Sequence, residues 1–396
     1  MKRHPIAATL ILLLLVWSYF ARPVYDFAWI AAGRVRDSAL ERWGAPYQRQ
    51  DRDALVESTT AQAAQIDRYL LARRAAAADE AQRRLDFSDP AAYARSADAL
   101  RNELRASLLY PPPGMGAAEI VEETDLGADS VATYRRLRIR VLPGVESIGL
   151  YLRPRGVDGP LPLVIAAHGR GGPPERTPDG TLPMMGHGNR DLARGALARG
   201  YAVWEPTFVF YAKDAPDDLR ERLTVRATEA GTTLPAVEIA KTVGALDALL
   251  RRPDLDPARV AMVGVSYGGF YTLYTAALEP RIKAAVVAAY FNDREAVLDG
   301  SDPYGFLDWR FPGSLGSLRD PTVAALVCPR PLLVEAGSHD QLFPVAGARR
   351  AAGQAAEVYR RLGVEERFKF WEFTGRHDFN GREAWDFLDH WLAVKP

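Results

Sequence analysis

Apolar and polar positions along the last two-thirds of the chain predict alternating strands and helices. Two segments, "VATYRRLRIRVLPG" and "SIGLYLRP", alternate apolar and polar residues, which is typical of half-buried antiparallel strands. The run "LPLVIAAHG" is almost continuously apolar, as in strands that are covered on both faces. Further predicted strands, with helical segments between them, are "YAVWEP", "RVAMVGV", "IKAAVVAA", "PLLVEAG" and "RFKFWEF". This order predicts an α/β fold with a mostly parallel sheet, covered by helices on both faces and led by an antiparallel edge.

The segment that precedes this sheet is predicted to be helical. Residues 34–113 show no strand-like alternation and are rich in Ala, Arg, Glu and Gln, which favour helices. Asp89, followed by a proline, is typical of a helix start. We therefore predict a helical extension over residues 34–113 and an α/β domain over residues 114–396. The extension is either a cap beside a functional site or a packing extension.

An apolar run near the N-terminus indicates export. Lys2 and Arg3 precede an uncharged stretch over residues 6–21. This length is near the lower limit for a membrane-spanning helix, roughly 17–25 residues, and it also fits the core of a signal peptide. The bulky aromatic end of the run favours an uncleaved anchor, and a cleaved signal is the alternative. Residues 1–33 are thus predicted to be a membrane anchor or signal segment, with the remainder outside the cytoplasm in the cell envelope.

Charge and cysteine content narrow the function classes. The 396 residues include 50 Lys+Arg and 50 Asp+Glu, so no basic excess points to nucleic acid. The single cysteine, Cys328, cannot form an internal disulfide and lies in an apolar segment, where we predict a buried thiol. No CxxC pair or Cys/His cluster of the zinc type occurs. We expect no metal, no cofactor and no nucleic-acid partner, and the oligomeric state is left open.

The segment "RVAMVGVSYGGFYTLYTAAL" contains the strongest signal for chemistry. Its first half is a predicted strand, its second half a predicted helix, and Ser266 lies between them with Gly264 and Gly268 on either side. This is the G-x-S-x-G pattern of a nucleophile elbow, in which a tight strand-to-helix turn exposes the serine hydroxyl. We therefore predict that Ser266 is a nucleophile.

A serine nucleophile needs a base and an acid that orients the base. His377 follows the strand "RFKFWEF", and Asp340 follows the strand "PLLVEAG". Both positions are at the carboxyl ends of predicted parallel strands, where the sites of such sheets lie. The chain order Ser266, Asp340, His377 is the order expected of an α/β-hydrolase.

Acyl transfer also needs donors for an oxyanion. The backbone N–H of Tyr267, directly after the serine, is the first expected donor. The second is expected in the loop "HGRGGPPE", whose glycines allow close backbone approach. We predict the N–H of Arg170 for this role, with Gly169 next. The alternative is that these glycines serve a tight turn only.

Residues from about 119 to 396 resemble the α/β-hydrolase superfamily. The matching segments are "PLVIAAHGRGG", "RRPDLDPARVAMVGVSYGGFYTLYTAALEPRIKAAV", "CPRPLLVEAGSHDQLFP" and "FTGRHDF". They are most similar to the dienelactone-hydrolase-like and acetyl xylan esterase-like branch. The resemblance implies a serine esterase with the triad Ser266, Asp340 and His377, and it makes residues 114–396 the catalytic domain. The chain departs from typical dienelactone hydrolases, which use a cysteine nucleophile, so the resemblance does not imply their substrate.

Other residues near the predicted strand ends have alternative roles. Glu335 is an alternative acid, although its place inside a strand favours a structural role. His168 is predicted to shape the glycine loop through a hydrogen bond, and His339 to be a loop residue. Further candidates for substrate contact are His187, Arg170 and Arg376; the arginines are otherwise solvated. The aromatic residues of 204–211 and 302–313 either line an acyl pocket or cover the sheet.

Three functions are compatible with these patterns. The first is a serine esterase that acts on a small-molecule or carbohydrate ester, for example an acetyl ester. The second is a peptidase similar to prolyl oligopeptidases, although the chain lacks room for the long β-propeller of those enzymes. The third is an inactive hydrolase fold that serves as a binding module in the cell envelope. The complete set of Ser266, Asp340 and His377 favours the esterase.

Overall fold

The computed structural model describes residues 27–36, 52–170, 174, 192–209, 219–294 and 309–393. The chain forms two compact units, Met1–Leu70 and Leu71–Pro396. The anchor predicted over residues 6–21 lies outside the described ranges. Within those ranges, no helix is both long enough and apolar enough to cross a membrane. The domain boundary predicted at residue 113 stays a prediction.

Nine strands among the described residues of the second unit form one sheet. They are β1 (Glu119–Ala128), β2 (Ala132–Leu142), β3 (Val145–Pro154), β4 (Leu161–Ala167), β5 (Ala202–Pro206), β6 (Leu255–Val265), β7 (Ala284–Ala288), β8 (Leu332–Gly337) and β9 (Phe368–Phe373). Their order across the sheet is β1-β2-β3-β5-β4-β6-β7-β8-β9. Strands β1 to β3 pair antiparallel, as do β3 and β5, whereas all neighbours from β5 to β9 are parallel. The predicted mostly parallel sheet with an antiparallel edge is confirmed.

The described helices lie before the sheet and between its strands. They are α1 (27–36), α2 (Arg52–Arg83), α3 (Pro90–Leu108), α4 (Leu192–Ala198), α5 (Leu219–Glu229), α6 (Leu234–Leu249), α7 (Tyr267–Leu278), α8 (Asp320–Val327), α9 (Val345–Arg361) and α10 (Ala384–Trp391). The predicted start of α3 is confirmed, because the Asp89 side chain accepts a hydrogen bond from the N–H of Ala92 at 2.8 Å. Such a cap satisfies one of the donors left open in the first turn.

Strand β1 and helix α8 are among the elements that the sequence-based prediction missed. Strand β1 exposes most of its side chains at the sheet edge, so it carries no apolar alternation. Ion pairs such as Arg140 with Glu119, at 2.9 Å, join it to β2. Helix α8 is buried along all eight residues and has no polar face that would mark a helical period.

Two hydrophobic clusters cover the two faces of the sheet. Leu163 and Ile165 of β4 belong to one cluster, whereas Val164 and Ala166 of the same strand belong to the other. Side chains alternate across a strand, so this division places the clusters on opposite faces. A strand buried on both faces explains the continuous apolar run in its sequence.

Candidate active site

The elbow between β6 and α7 holds its serine in a strained conformation. Ser266 has φ 57° and ψ −115°, a region that residues with a side chain rarely occupy. Its N–H donates to the carbonyl of Ala288 at 2.9 Å, and its carbonyl accepts from the N–H of Phe270 at 3.0 Å. Backbone strain of this kind costs about 1–3 kcal/mol and persists where the surrounding structure enforces it. The predicted strand-turn-helix context of Ser266 is therefore confirmed.

The glycines around the serine are required by close backbone contacts. A Cβ atom at Gly264 would lie 2.2 Å from the carbonyl oxygen of Gly268. A Cβ atom at Gly268 would lie 1.9 Å from the carbonyl oxygen of Ala167, at the end of β4. Both obstacles are main-chain atoms and cannot rotate away. The G-x-S-x-G spacing thus reflects how tightly the elbow packs against the neighbouring strand.

We predict that Gly268→Ala lowers the free energy of unfolding by about 3 kcal/mol, because overpacking against rigid atoms forces the backbone to shift. Urea unfolding of the purified variant measures this loss. Gly353→Ala is the matched control, since a Cβ atom there meets nothing within 4 Å and the site lies inside helix α9. The control is expected to gain about 0.5–1 kcal/mol from helix propensity. A Gly268→Ala variant as stable as the parent protein would contradict this account.

His377 and Asp340 form a directly bonded pair. His377 Nδ1 lies 2.8 Å from Asp340 Oδ2. Because a carboxylate only accepts, Nδ1 carries the proton and Nε2 is left as the basic nitrogen. The Asp340 side chain is 1% exposed, and its other oxygen accepts the N–H groups of Leu342 and Phe343 at 2.8 and 2.9 Å. The acid is therefore held in place by three donors.

The loops that carry this pair run against each other at the carboxyl ends of β8 and β9. The N–H of Ser338 donates to the carbonyl of Phe373 at 2.9 Å, and that of His339 to the carbonyl of Gly375 at 2.8 Å. A Cβ atom at Gly337 would lie 2.0 Å from the carbonyl oxygen of Arg376. Ser266 follows β6 at this same edge of the sheet. The structure thus places the three predicted triad positions at the carboxyl ends of the parallel strands.

Glu335 has different partners from Asp340. Its Oε2 accepts the N–H groups of Asn380 and Gly381, at 3.1 and 3.2 Å, in the loop that follows His377. The other oxygen is buried and has no hydrogen-bond partner among the described residues, and burial raises the pKa of this carboxyl to about 7. The contacts of Glu335 hold the histidine loop, which is the structural role favoured by its position inside β8.

The pKa of Glu335 predicts a specific dependence of stability on pH. A folded-state pKa above the usual 4.5 means that the folded protein binds a proton more tightly than the unfolded chain. Stability contributed by this group therefore decreases as pH rises from 4.5 to 7, by roughly 3 kcal/mol. Glu335→Gln removes the titration, so the parent-minus-variant difference in unfolding free energy is expected to fall over this window. Urea unfolding at several pH values measures it, and a constant difference would refute the prediction.

His168 anchors the end of β4 to the loop after β5. Its Nδ1 lies 2.9 Å from the carbonyl oxygen of Gly169, and its Nε2 accepts the N–H of Phe208 at 3.2 Å. One donor and one acceptor describe a neutral imidazole, and burial lowers the pKa of this group to about 4. The hydrogen bond predicted for His168 is confirmed. Arg170, which follows, has an exposed side chain, and residues 171–173 of the glycine loop lie outside the described ranges.

Among the remaining predicted positions, the structure describes His339, Arg376 and Cys328. His339 is exposed and lies with its Nδ1 2.9 Å from the hydroxyl of Ser338, in agreement with a loop role. Arg376 is exposed, and His187 lies outside the described residues. Cys328 is buried, as predicted. In the part of the chain that the structure describes, no cluster of three or more His, Cys, Asp or Glu residues could hold a metal ion.

An aromatic series connects helix α7 with His377. Trp309 packs on Tyr267 with ring centroids 4.4 Å apart, and it also contacts Phe343 at 5.9 Å. Phe343 in turn stacks on His377 at 5.7 Å with an interplanar angle of 16°. Trp309 is 2% exposed and belongs to the aromatic segment 302–313, whose other residues up to 308 lie outside the described ranges. This packing restricts the orientation of the imidazole ring.

Sequence reasoning missed Arg220, which lies beside the elbow. Its guanidinium carbon lies 4.6 Å from the centroid of the Tyr267 ring, and its Nη2 donates to the hydroxyl of Tyr271 at 3.1 Å. The side chain is buried although it belongs to α5, a helix with mostly polar residues. No motif marks this position, and only its distance to Tyr267 in the folded chain reveals it.

Comparisons with known proteins agree with the fold. No family model matches the chain. It is 25% identical over 259 residues to "Putative hydrolase YtaP" of Bacillus subtilis (strain 168), which covers 61% of this chain and 82% of that protein. It is also 25% identical over 256 residues to "Putative carboxymethylenebutenolidase" of Salmonella typhimurium (strain LT2), with 63% of this chain and 83% of that protein covered.

A solved structure gives the same result for the fold. The structure of a "putative acetyl xylan esterase" from Bacteroides fragilis NCTC 9343 has a TM-score of 0.58 and 16% sequence identity, and it covers 72% of this chain and 76% of its own. The mostly parallel sheet, the strained serine elbow and these likenesses confirm the predicted resemblance. The chain is thus similar to the esterase branch of the α/β-hydrolases, and these likenesses support a carboxylic ester hydrolase.

Proposed function

We propose that the protein hydrolyses carboxylic esters through a Ser266–His377–Asp340 triad and a covalent acyl-enzyme. The observation that carries this proposal is the strained Ser266 at the same sheet edge as the bonded pair of His377 and Asp340. A serine hydroxyl is a weak nucleophile until a base accepts its proton. The tautomer that Asp340 imposes on His377 leaves Nε2 free to do so.

In the acylation step, Ser266 Oγ attacks the ester carbonyl carbon while its proton passes to His377 Nε2. The carbonyl oxygen becomes an oxyanion, for which we propose the N–H groups of Tyr267 and Arg170 as donors. Collapse of the tetrahedral intermediate breaks the bond to the leaving alcohol, and the imidazolium returns its proton to that alcohol. The Asp340 carboxylate stabilises the transient imidazolium without itself becoming protonated.

In the deacylation step, water attacks the acyl-enzyme and gives a proton to His377 Nε2. The second tetrahedral intermediate releases the carboxylic acid and regenerates Ser266 with the returned proton. The stacking of Phe343 on His377 supports both steps, because it keeps the ring plane fixed while the proton moves. No metal or cofactor is needed to balance either step.

For the substrate, we propose a small acyl ester such as an acetylated carbohydrate. The resemblance to acetyl xylan esterase-like enzymes supports this class, as does the name of the structural neighbour from Bacteroides fragilis. A panel of acetyl, butyryl and longer activated esters, run beside peptide amides, tests it. Fluorophosphonate labelling of Ser266 with turnover of acetyl esters is expected. Turnover of amides alone would indicate a peptidase, and absence of labelling would indicate an inactive binding module.

For localisation, we propose that residues 6–21 tether the protein to a membrane, with the catalytic domain outside the cytoplasm. The support is the uncharged run after Lys2 and Arg3, which favours a cytoplasmic N-terminus. The mature protein is then expected to begin near Met1 and to stay in the membrane pellet in high salt. N-terminal sequencing that finds a start beyond residue 21 in a soluble fraction would show a cleaved signal peptide instead.

A further inference from the structure

A cavity of about 700 Å³ lies at the amino ends of the parallel strands, opposite the candidate active site at their carboxyl ends. Some of its lining residues lie within four positions of the start of a strand: Pro280 before β7, Arg330 before β8 and Arg367 before β9. The triad positions follow the carboxyl ends of β6, β8 and β9. Strands of five or six residues span about 17–20 Å, so the length of a strand separates the two sites. The cavity is therefore distinct from the proposed catalytic site.

The floor of this cavity is apolar. Tyr93, Leu278, Leu326 and Cys328 line it and are each at most 5% exposed. Ala94 of α3 is exposed at its wall. A concave apolar surface of this volume falls in the range of small-molecule sites, about 300–1,000 Å³. The floor thus suits an apolar chain or ring.

The charged residues that line the cavity are mostly positive. The lining includes one carboxylate, Asp98, and four arginines, which are Arg101, Arg105, Arg330 and Arg367. Asp98 forms an ion pair with Arg101. The remaining cationic excess lies around an apolar floor. This combination is complementary to a ligand with an anionic head and an apolar tail.

Two of the arginines are held in place by neutral groups. Arg101 Nε donates to the carbonyl of Ala277 at 2.8 Å, and Arg330 Nη1 donates to the carbonyl of Ile282 at 2.6 Å. These acceptors fix the guanidinium groups without cancelling their formal charge. No ion pair of Arg330 is found among the described residues, and burial lowers the pKa of this group to about 10, so it is still charged at neutral pH. The charge of Glu279 also acts on Arg330, but that carboxylate is paired with Arg281 at 2.7 Å, so an anion in the cavity adds to the stabilisation of Arg330.

We propose that this cavity binds a small anionic amphiphile, with its carboxylate or sulfate head at Arg330 and Arg105 and an alkyl chain of about eight carbons on the apolar floor. The hydrogen bonds of Arg101 and Arg330 to main-chain carbonyls explain where these two side chains lie. They do not explain an open apolar cavity between cationic walls. The proposal is independent of the hydrolytic function, because the triad lies at the carboxyl ends of the parallel strands.

Isothermal titration calorimetry of the full chain with octanoate tests the proposal, with octanol as the neutral probe of equal length. Saturable binding of octanoate at one site is expected, with octanol at least about tenfold weaker. The Ser266→Ala variant should bind octanoate as the parent does, which separates this site from product binding at the proposed triad. Loss of octanoate binding in Ser266→Ala, or no saturable binding to the parent, would overturn the proposal.

Matched variants on α3 locate the ligand. Ala94→Trp fills the cavity and should abolish binding, whereas Ala99→Trp changes an exposed residue of the same helix that does not line it. Arg105→Glu should weaken octanoate about tenfold, and Arg95→Glu, an equal charge reversal outside the cavity, should not. Equal effects of variant and control in both pairs would show that octanoate binds elsewhere. Unchanged unfolding midpoints confirm that the variants are folded.

Discussion

Ser266→Ala is expected to reduce kcat for an activated acetyl ester by about 10⁶-fold, the loss seen when the nucleophile of a serine triad is removed. Without the hydroxyl no acyl-enzyme forms, and the remaining donors act only on a direct attack by water. The variant should keep its stability, because alanine has the same Cβ as serine and leaves the strained backbone of the elbow unchanged. Initial rates at saturating substrate, together with urea unfolding, measure both effects.

Ser338→Ala is the matched control for this variant. Ser338 follows β8 and contacts the exposed His339, so it shares the edge of the sheet but not the elbow. Its removal should change kcat by less than about threefold, as expected for a serine outside the triad. A Ser266→Ala enzyme with activity near that of the parent would end the triad proposal, and equal large losses in both variants would point to a general defect.

Asp340→Asn is expected to lose on the order of 10³–10⁴ in kcat. If the amide oxygen keeps the bonds from the N–H groups of Leu342 and Phe343, its NH₂ group faces His377 Nδ1. That nitrogen must then accept, so the proton moves to Nε2 and the base is lost. Glu335→Gln should lose far less, because its oxygen contacts the main chain at Asn380 and Gly381 rather than the imidazole.

Both variants are measured with one activated ester across pH 5–9. Glu335→Gln should keep the parent's pH–rate profile. The reverse ranking of the two losses would transfer the orienting role to Glu335. A large loss in both would mean that the histidine loop depends on Glu335 for its position, which the separate stability measurement would detect.

Local sequence patterns were sufficient to predict most strands and helices of the second unit. The alternation in β2 and β3 and the apolar run of β4 correspond to strands with one or two covered faces. The elbow was predictable because its constraint is local: Gly264 and Gly268 must be small for the turn to close. Strand β1 and helix α8 were harder to predict, since β1 is exposed along most of its length and α8 is buried on all sides. Neither has the periodicity that distinguishes strand from helix.

The sequence alone was enough to predict the proposed chemistry: a serine in a glycine elbow, with an acid and a base that each follow a strand in the order of α/β-hydrolases. Which carboxylate contacts His377 follows from the folded chain, because Asp340 and Glu335 lie five positions apart on one strand and the loop after it. They differ in the direction of their side chains rather than in sequence pattern. The same holds for the placement of Arg220 over Tyr267 and for the cationic cavity at the amino ends of the parallel strands. Such contacts join residues distant along the chain, and their distances follow from the order in which strands pair, which no local period encodes.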